Sequence, residues 1–208
     1  MTLAYADIFD YPLKASEIRR YLISDKKIDF KNFQKELSQS SKLADKQGDY
    51  FFLKGRKKIV AIRKQRENQG QKKLIIARRT TNWLKMIPTI KMIGVTGALA
   101  MNNAREDDDI DILIVTSKNR LWLTRFLVVL LTELVARRRH PNDKETRDKI
   151  CLNMFLDEKC LGVPEKERDL FTAHEVCQLV PIYDRNGTYK KFLEKNLWVK
   201  KYLPNWKP

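Results

Sequence analysis

The stretch Lys91 to Thr116, KMIGVTGALAMNNAREDDDIDILIVT, narrows the folds open to this chain more than any other. It begins with the apolar run Met92-Ile93-Gly94-Val95, breaks at Gly97 and passes through an acidic loop at Glu106 to Asp109. It then re-enters an apolar run from Ile110 to Val115. Runs that are apolar at consecutive positions read as buried strands, covered on both faces by other elements. Asp109 and Asp111 stand two residues apart, so the strand period puts both carboxylates on one face while Ile110 and Ile112 turn into the core. Two carboxylates that close repel each other, and keeping both ionised is costly unless a cation compensates. Mg²⁺ suits that task, because it is a hard ion that prefers carboxylate and phosphate oxygens. The turn at Gly97, followed by a short helix from Ala98 to Asn103, offers backbone N–H groups to a triphosphate. Asp-x-Asp alone is common and is often only a solvated pair at a strand edge. The glycine turn, the spacing and the apolar flanks give it weight here.

The order of apolar strand, glycine turn, loop of about ten residues and Asp-x-Asp in a second apolar strand resembles the signature of the DNA polymerase β-like nucleotidyltransferase superfamily. In this chain it reads Gly97-Ala98, then Leu99 to Asp108, then Asp109-Ile110-Asp111-Ile112-Leu113. The minimal bacterial and archaeal nucleotidyltransferases are the most similar, over Ile90 to Leu156. The resemblance implies a small mixed α/β fold and transfer of NMP from an NTP to a hydroxyl or other acceptor. It further implies a two-metal Mg²⁺ site on Asp109 and Asp111, with Gly97 and Ala98 holding the nucleotide's phosphates. Asn102 and Arg105 could reach the triphosphate or the acceptor, although a loop this polar is unremarkable on any surface.

Two departures matter. Ala98 stands where the family has a small hydroxyl residue, which removes a side-chain hydrogen bond to phosphate. The family's third carboxylate lies on the next core strand, after a helix. Here those elements are expected over 121–138 and 150–156, and the inward candidate is Asn153. Its carbonyl can bind a metal or a water but cannot act as a general base. Asp157, just past the strand, is a poor geometric substitute. A domain that binds nucleotide without turning it over therefore stays as a second reading.

The formal net charge of +16 is unevenly placed. Residues 1–88 hold 21 Lys and Arg against 9 Asp and Glu, whereas residues 89–208 hold 21 against 17. The first half looks built to meet a polyanion. Its apolar spacing predicts a helix over 3–10 closed by Pro12 and a second over 15–23. A third follows from an Asp29 N-cap through about Ser40, with Phe30, Phe33 and Leu37 inward. The turn Lys46-Gln47-Gly48-Asp49 before Tyr50-Phe51-Phe52-Leu53 predicts a hairpin. Three helices and a hairpin make the winged helix-turn-helix order, in which the second and third helices bind nucleic acid and the hairpin is the wing. Lys26, Lys27, Lys31 and Lys35 would then meet phosphates or base edges, with Arg56, Lys57 and Lys58 following the wing. A solvated basic face, or a module that binds protein, has the same pattern.

The expected organisation is a winged-helix-like domain at 1–55, a basic helical connector at 56–88 broken at Gly70, a nucleotidyltransferase core at 89–160, and a helical extension at 161–208 whose two helices are separated by residues 181–187. The fold class is α/β (α+β), with a small mixed sheet flanked by helices and preceded by the winged helix-turn-helix-like domain. Three cysteines (Cys151, Cys160, Cys177) in no C-x-x-C spacing and two histidines make no zinc pattern and fit reduced thiols in a cytoplasmic protein. The N-terminus lacks the basic start and apolar run of a signal peptide. The apolar stretch 121–136, interrupted by Arg125, Thr132 and Glu133, reads as a buried helix and not as a membrane span, so no membrane partner is expected. His174 beside Glu175 reads first as a buried, hydrogen-bonded histidine and second as an acid–base pair. The expected function is Mg²⁺-dependent nucleotidyl transfer, with RNA or DNA recruited by the basic half. The alternative is a nucleotide-sensing winged-helix regulator whose transferase domain is degenerate.

Overall fold

The computed structural model describes residues 1–39 and 43–208. In chain order the first part runs α1 (Thr2–Asp7), β1 (Leu13–Lys14), α2 (Ala15–Arg20), α3 (Phe30–Gln39), β2 (Ala44–Gln47), β3 (Tyr50–Leu53) and α4 (Ile59–Leu84). The second part runs β4 (Ile90–Val95), α5 (Gly97–Ala100), β5 (Ile110–Thr116), α6 (Leu121–Val135), β6 (Ile150–Asp157), α7 (Leu170–Gln178), β7 (Val180–Asp184) and α8 (Thr188–Lys195). The expected end of the third helix at Ser40 lies outside the described residues.

The chain forms two compact units. One comprises Met1–Gln65, Arg168–Cys177 and Trp198–Pro208, and the other Arg66–Glu167 and Gln178–Leu197. These units do not follow four consecutive segments. Residues 161–208 supply both units in turn, and α4 begins in the first and ends in the second.

In the first unit the strands form an antiparallel sheet in the order β1-β3-β2. Alternation along β3 buries Tyr50 and Phe52 against Ile59 and Val60. Gly48, at φ 58°, makes the tight turn that lets Gln47 pair with Tyr50. Helix α1 ends at Asp7, earlier than the spacing predicts, and Asp10 just beyond it adopts φ 52°, which a right-handed helix excludes. The Asp29 cap is present: its Oδ1 accepts the Asn32 N–H at 2.9 Å, and hydrogen bonds of this kind hold its carboxyl below the ordinary range. Arg63, in the first turns of α4, is buried. Its two terminal nitrogens each donate to Glu17 at 2.7 Å, one also donates to the Pro12 carbonyl, and the guanidinium stands 4.2 Å from the Tyr11 ring centre and 4.9 Å from that of Tyr50. Helix α7 buries His174 against Tyr5, and Trp206 donates its indole N–H to the Cys177 carbonyl at 3.1 Å.

In the second unit the sheet order is β6-β5-β4-β7, with β5 and β6 parallel and the other neighbours antiparallel. Ile110, Ile112 and Ile114 are buried in one core with Ile90, Ile93, Val95, Ala77 and Leu84 of α4, and Val128 of α6. Fully burying one such isoleucine contributes about 1.5–3 kcal/mol, so this row fixes the face on which β5 turns its aspartates outward. Three expectations are corrected. Val180–Asp184, read as a break between helices, is an edge strand, because its extended residues find a free side of β4. Helix α4 runs unbroken through Gly70. A Cβ there would stand 3.1 Å from Asn102 Oδ1 and 3.4 Å from its Cα, so the glycine serves close packing and not a break. Helix α6 is buried along only one stripe, Thr124, Val128 and Thr132, and exposes Trp122, Phe126, Leu130 and Leu134. Among the described residues no helix is long and apolar enough to cross a membrane.

Candidate active site

Asp109 stands just before β5 and Asp111 is its second residue, so both project from the face opposite Ile110 and Ile112. Across the sheet, the Thr96 N–H donates to the Asp111 carbonyl at 3.1 Å, next to the Val95–Ile112 pair. On the other side Asp111 pairs in register with Cys151 of β6. Thr96, Asp111 and Cys151 therefore stand abreast on one face. One ligand atom from each of Asp109, Asp111 and Cys151 lies within 4.8 Å of the others. Gly97 turns the chain beside them at φ 62°, and a Cβ at that position would stand 3.2 Å from Asp111 Oδ2.

Burial raises the Asp111 carboxyl above its ordinary range, and the neighbouring Asp109 charge adds to the shift. Burial also pushes the Cys151 thiol up to about 12, helped by its hydrogen bond to Asp111. Asp109 has a cation of its own: Arg139 Nη1 donates to its Oδ2 at 2.5 Å, and that hydrogen bond raises the arginine further. Arg139 is placed by its backbone N–H, which donates to the Ile150 carbonyl at 2.9 Å. Thr96 Oγ1 is buried without a hydrogen-bond partner among the described residues.

Helix α4 holds the loop that leads into the site. The Lys73 side chain is only 1% exposed, and its Nζ donates to the Glu106 carbonyl at 3.0 Å, the Asp108 carbonyl at 2.7 Å and Asp148 Oδ1 at 2.8 Å. Lys73, although part of the basic run of this helix, is thus turned inward and away from solvent. Arg66 donates to Asn103 Oδ1 at 3.2 Å.

The other expected residues are placed as follows. Ala98 is exposed in the first turn of α5, and Asn102 packs against Gly70 of α4. Arg105 turns back on the loop, its N–H donating to Asp108 Oδ2 at 2.7 Å. Asn153 is exposed at a register shift: Leu152 pairs with Ile112 and Met154 with Leu113, which leaves Asn153 as the extra residue of a bulge. The β6 residue beside Asp111 is Cys151. Asp157 lies at the far end of β6, where it accepts the Asn119 N–H at 2.6 Å. Sequence reasoning missed Cys151, Lys73 and Arg139. The run Arg137-Arg138-Arg139 before β6 was the available signal for a protein cation beside a carboxylate pair.

In the first unit Lys26, Lys27, Lys31 and Lys35 are exposed, as are Lys57 and Lys58. Lys27 lines a groove of about 1030 Å³ together with Arg19, Arg20, Phe30, Lys46 and Lys207. Arg56 instead ties down the α1 end, bonding Asp7 at 2.8 Å and Asp10 at 2.5 Å. His174 is buried, stacked 4.2 Å from Tyr5, and burial lowers its imidazole to about 4.

No family model matches this chain, and no curated protein matches it. Among solved structures it is similar to one described as the crystal structure of a toxin-antitoxin with AMP-PNP. The identity is 14%, over 65% of this chain and 86% of that one, with a TM-score of 0.33, and a likeness of that extent carries no argument about the chemistry here.

Proposed function

We propose that the second unit is a nucleotidyltransferase-type domain that takes a nucleoside triphosphate with Mg²⁺ and passes its NMP to a hydroxyl acceptor, RNA among them. The observation that carries this reading is the meeting of Asp109, Asp111 and Cys151 within 4.8 Å beside the Gly97 turn. Antiparallel β4–β5, parallel β5–β6 and the helices on that sheet agree with such a core. The residues fit a cation, because ligand atoms of the two carboxylates and the thiol converge within 4.8 Å, and a Cβ at position 97 would crowd Asp111 Oδ2. Asp109 and Asp111 would hold the metal, which when bound neutralises phosphate charge and activates an acceptor hydroxyl. Gly97 and Ala98 lay bare main chain alongside for the phosphates. Lys73 fixes the carbonyls on either side of Asp107 and so positions Asp109. Arg139, once released from Asp109, has the fork geometry to pair with a phosphate.

The first unit has the order α1-β1-α2-α3-β2-β3 and the sheet β1-β3-β2, which support a winged-helix reading. Lys26, Lys27, Lys31, Lys35, Lys57 and Lys58 are then its contacts to RNA or DNA, and such binding should weaken steeply between low and physiological salt. The second reading, a nucleotide sensor without turnover acting in the cytoplasm, is favoured by two observations: Arg139 already occupies Asp109, and a thiol stands beside Asp111 where the family has a carboxylate.

The test is incubation with each labelled NTP, Mg²⁺ and total RNA. Label transfer that disappears in Asp109→Asn and Asp111→Asn supports the transferase. Mg²⁺-dependent NTP binding without transfer favours the sensor. Failure of the folded protein to bind any NTP overturns both.

A further inference from the structure

Cys151 makes this donor set unlike one of carboxylates alone, and we infer that Asp109, Asp111 and Cys151 form a site for a thiophilic divalent cation such as Zn²⁺ or Co²⁺, preferred over Mg²⁺. The inference rests on the nucleotidyltransferase reading for the role of the site but not for its existence. Three observations carry it.

The first is geometry. Donors about 2.0–2.3 Å from a zinc-sized ion lie about 3.3–3.8 Å apart in a tetrahedral set, and these three lie within 4.8 Å of one another, so a small side-chain movement brings them onto one ion. The second is the fixing of the thiol by register. Cys151 pairs directly with Asp111 in a parallel ladder and donates its proton to that carboxylate, so sulfur and oxygen are aimed at each other before any ion arrives. The third is Thr96. The residue is 8% exposed, its hydroxyl is buried without a partner among the described residues, and it stands on the same face as Asp111. An oxygen so placed can bond to a cation's water.

Sulfur selects among cations. Mg²⁺ holds oxygens and its own waters in near-ideal octahedra and has little use for a thiolate. Zinc and its neighbours bind mixed sulfur and carboxylate sets. Binding would convert the Cys151 thiol to a thiolate and release one proton to solvent, with no change in oxidation state. Arg139 competes for Asp109, so an incoming ion displaces that guanidinium or shares the carboxylate with it.

The test is titration of the full chain with Co²⁺ alone, because a cobalt–thiolate bond gives a charge-transfer absorption in the near ultraviolet. The band is expected in the wild type and in a variant with Cys160→Ser and Cys177→Ser. Zn²⁺ should bleach it, and excess Mg²⁺ should not. Cys151→Ser should abolish the band and weaken Co²⁺ binding by at least about 10–100-fold, the loss seen when even an outer partner of a metal ligand is removed. Cys151→Asp should lose the band yet gain affinity for Mg²⁺, which shows that this variant is folded. Co²⁺ binding without the band, equal competition by Mg²⁺, or no binding at all overturns the inference. If NTP binding with Mg²⁺ persists in those cases, the functional reading survives without it. A cobalt–thiolate band in a protein that binds no NTP keeps the inference and removes the functional reading.

Discussion

Helix α4 carries two buried cations, Arg63 in the first unit and Lys73 in the second, and they do different work. Arg63 presents a planar fork. It meets both oxygens of Glu17, donates to the Pro12 carbonyl and lies against two tyrosine rings, so it joins one carboxylate to an aromatic core. Lys73 is a point charge with three directions. It gathers two main-chain carbonyls and Asp148, and what it holds is the loop that runs directly into Asp109. One cation fastens the fold of its unit to itself. The other fastens a candidate site to the helix beneath it. Burial alone would not separate them, since both are almost fully enclosed. Their partners do.

The contrast breaks first at Lys73. Lys73→Met should cost about 3–5 kcal/mol in denaturant unfolding, because the Asp148 carboxylate and two carbonyls lose a buried partner. It should also weaken cation binding at Asp109. If stability falls and cation binding does not, Lys73 is a structural cation like Arg63. Next is Arg63→Lys, which keeps the charge and removes the fork. A loss of about 1.5–3 kcal/mol is expected, followed by Trp206 emission, with cation binding in the other unit unchanged.

Acid separates the units further. His174 is lowered to about 4 by burial, so the unfolded chain binds a proton that the folded first unit refuses. Stability is retained above about pH 6.5 and lost as pH falls toward 4, on the order of 3 kcal/mol, and His174→Phe should flatten that slope relative to wild type. A parallel slope in both proteins would remove His174 as its source. The smallest effect belongs to Gly70→Ala. In a helix interior the change ordinarily gains about 1 kcal/mol, but the crowding against Asn102 should reverse the sign to a small net loss. A gain in melting temperature would show that the loop yields.

What was legible in the sequence follows from how far apart the interacting residues lie. Asp109 and Asp111 share a face because a strand alternates, and Asp29 caps α3 because its partner is three residues on; both are local facts. Cys151 was not legible. Which residue of β6 faces Asp111 depends on the parallel register and on the bulge at Asn153, and strand propensity encodes neither. Periodicity failed at Lys73 for the same reason. Its acceptors lie 33, 35 and 75 residues away, and without them a lysine on a basic helix belongs in water. Gly70 misled because one glycine can mean a break or a close approach, and only the neighbour across the gap decides. The edge strand Val180–Asp184 was hidden behind a proline, which such a position tolerates.

The half-covered helix α6 has a practical consequence. Trp122, Phe126, Leu130 and Leu134 repeat every four residues along its outer side and are well exposed, which gives the native protein a greasy stripe. Dyes that fluoresce on apolar surfaces should light up before any unfolding begins. A dye-based melting curve would then start bright and understate every destabilisation forecast above. Circular dichroism, or the emission of the enclosed Trp206, avoids that false baseline.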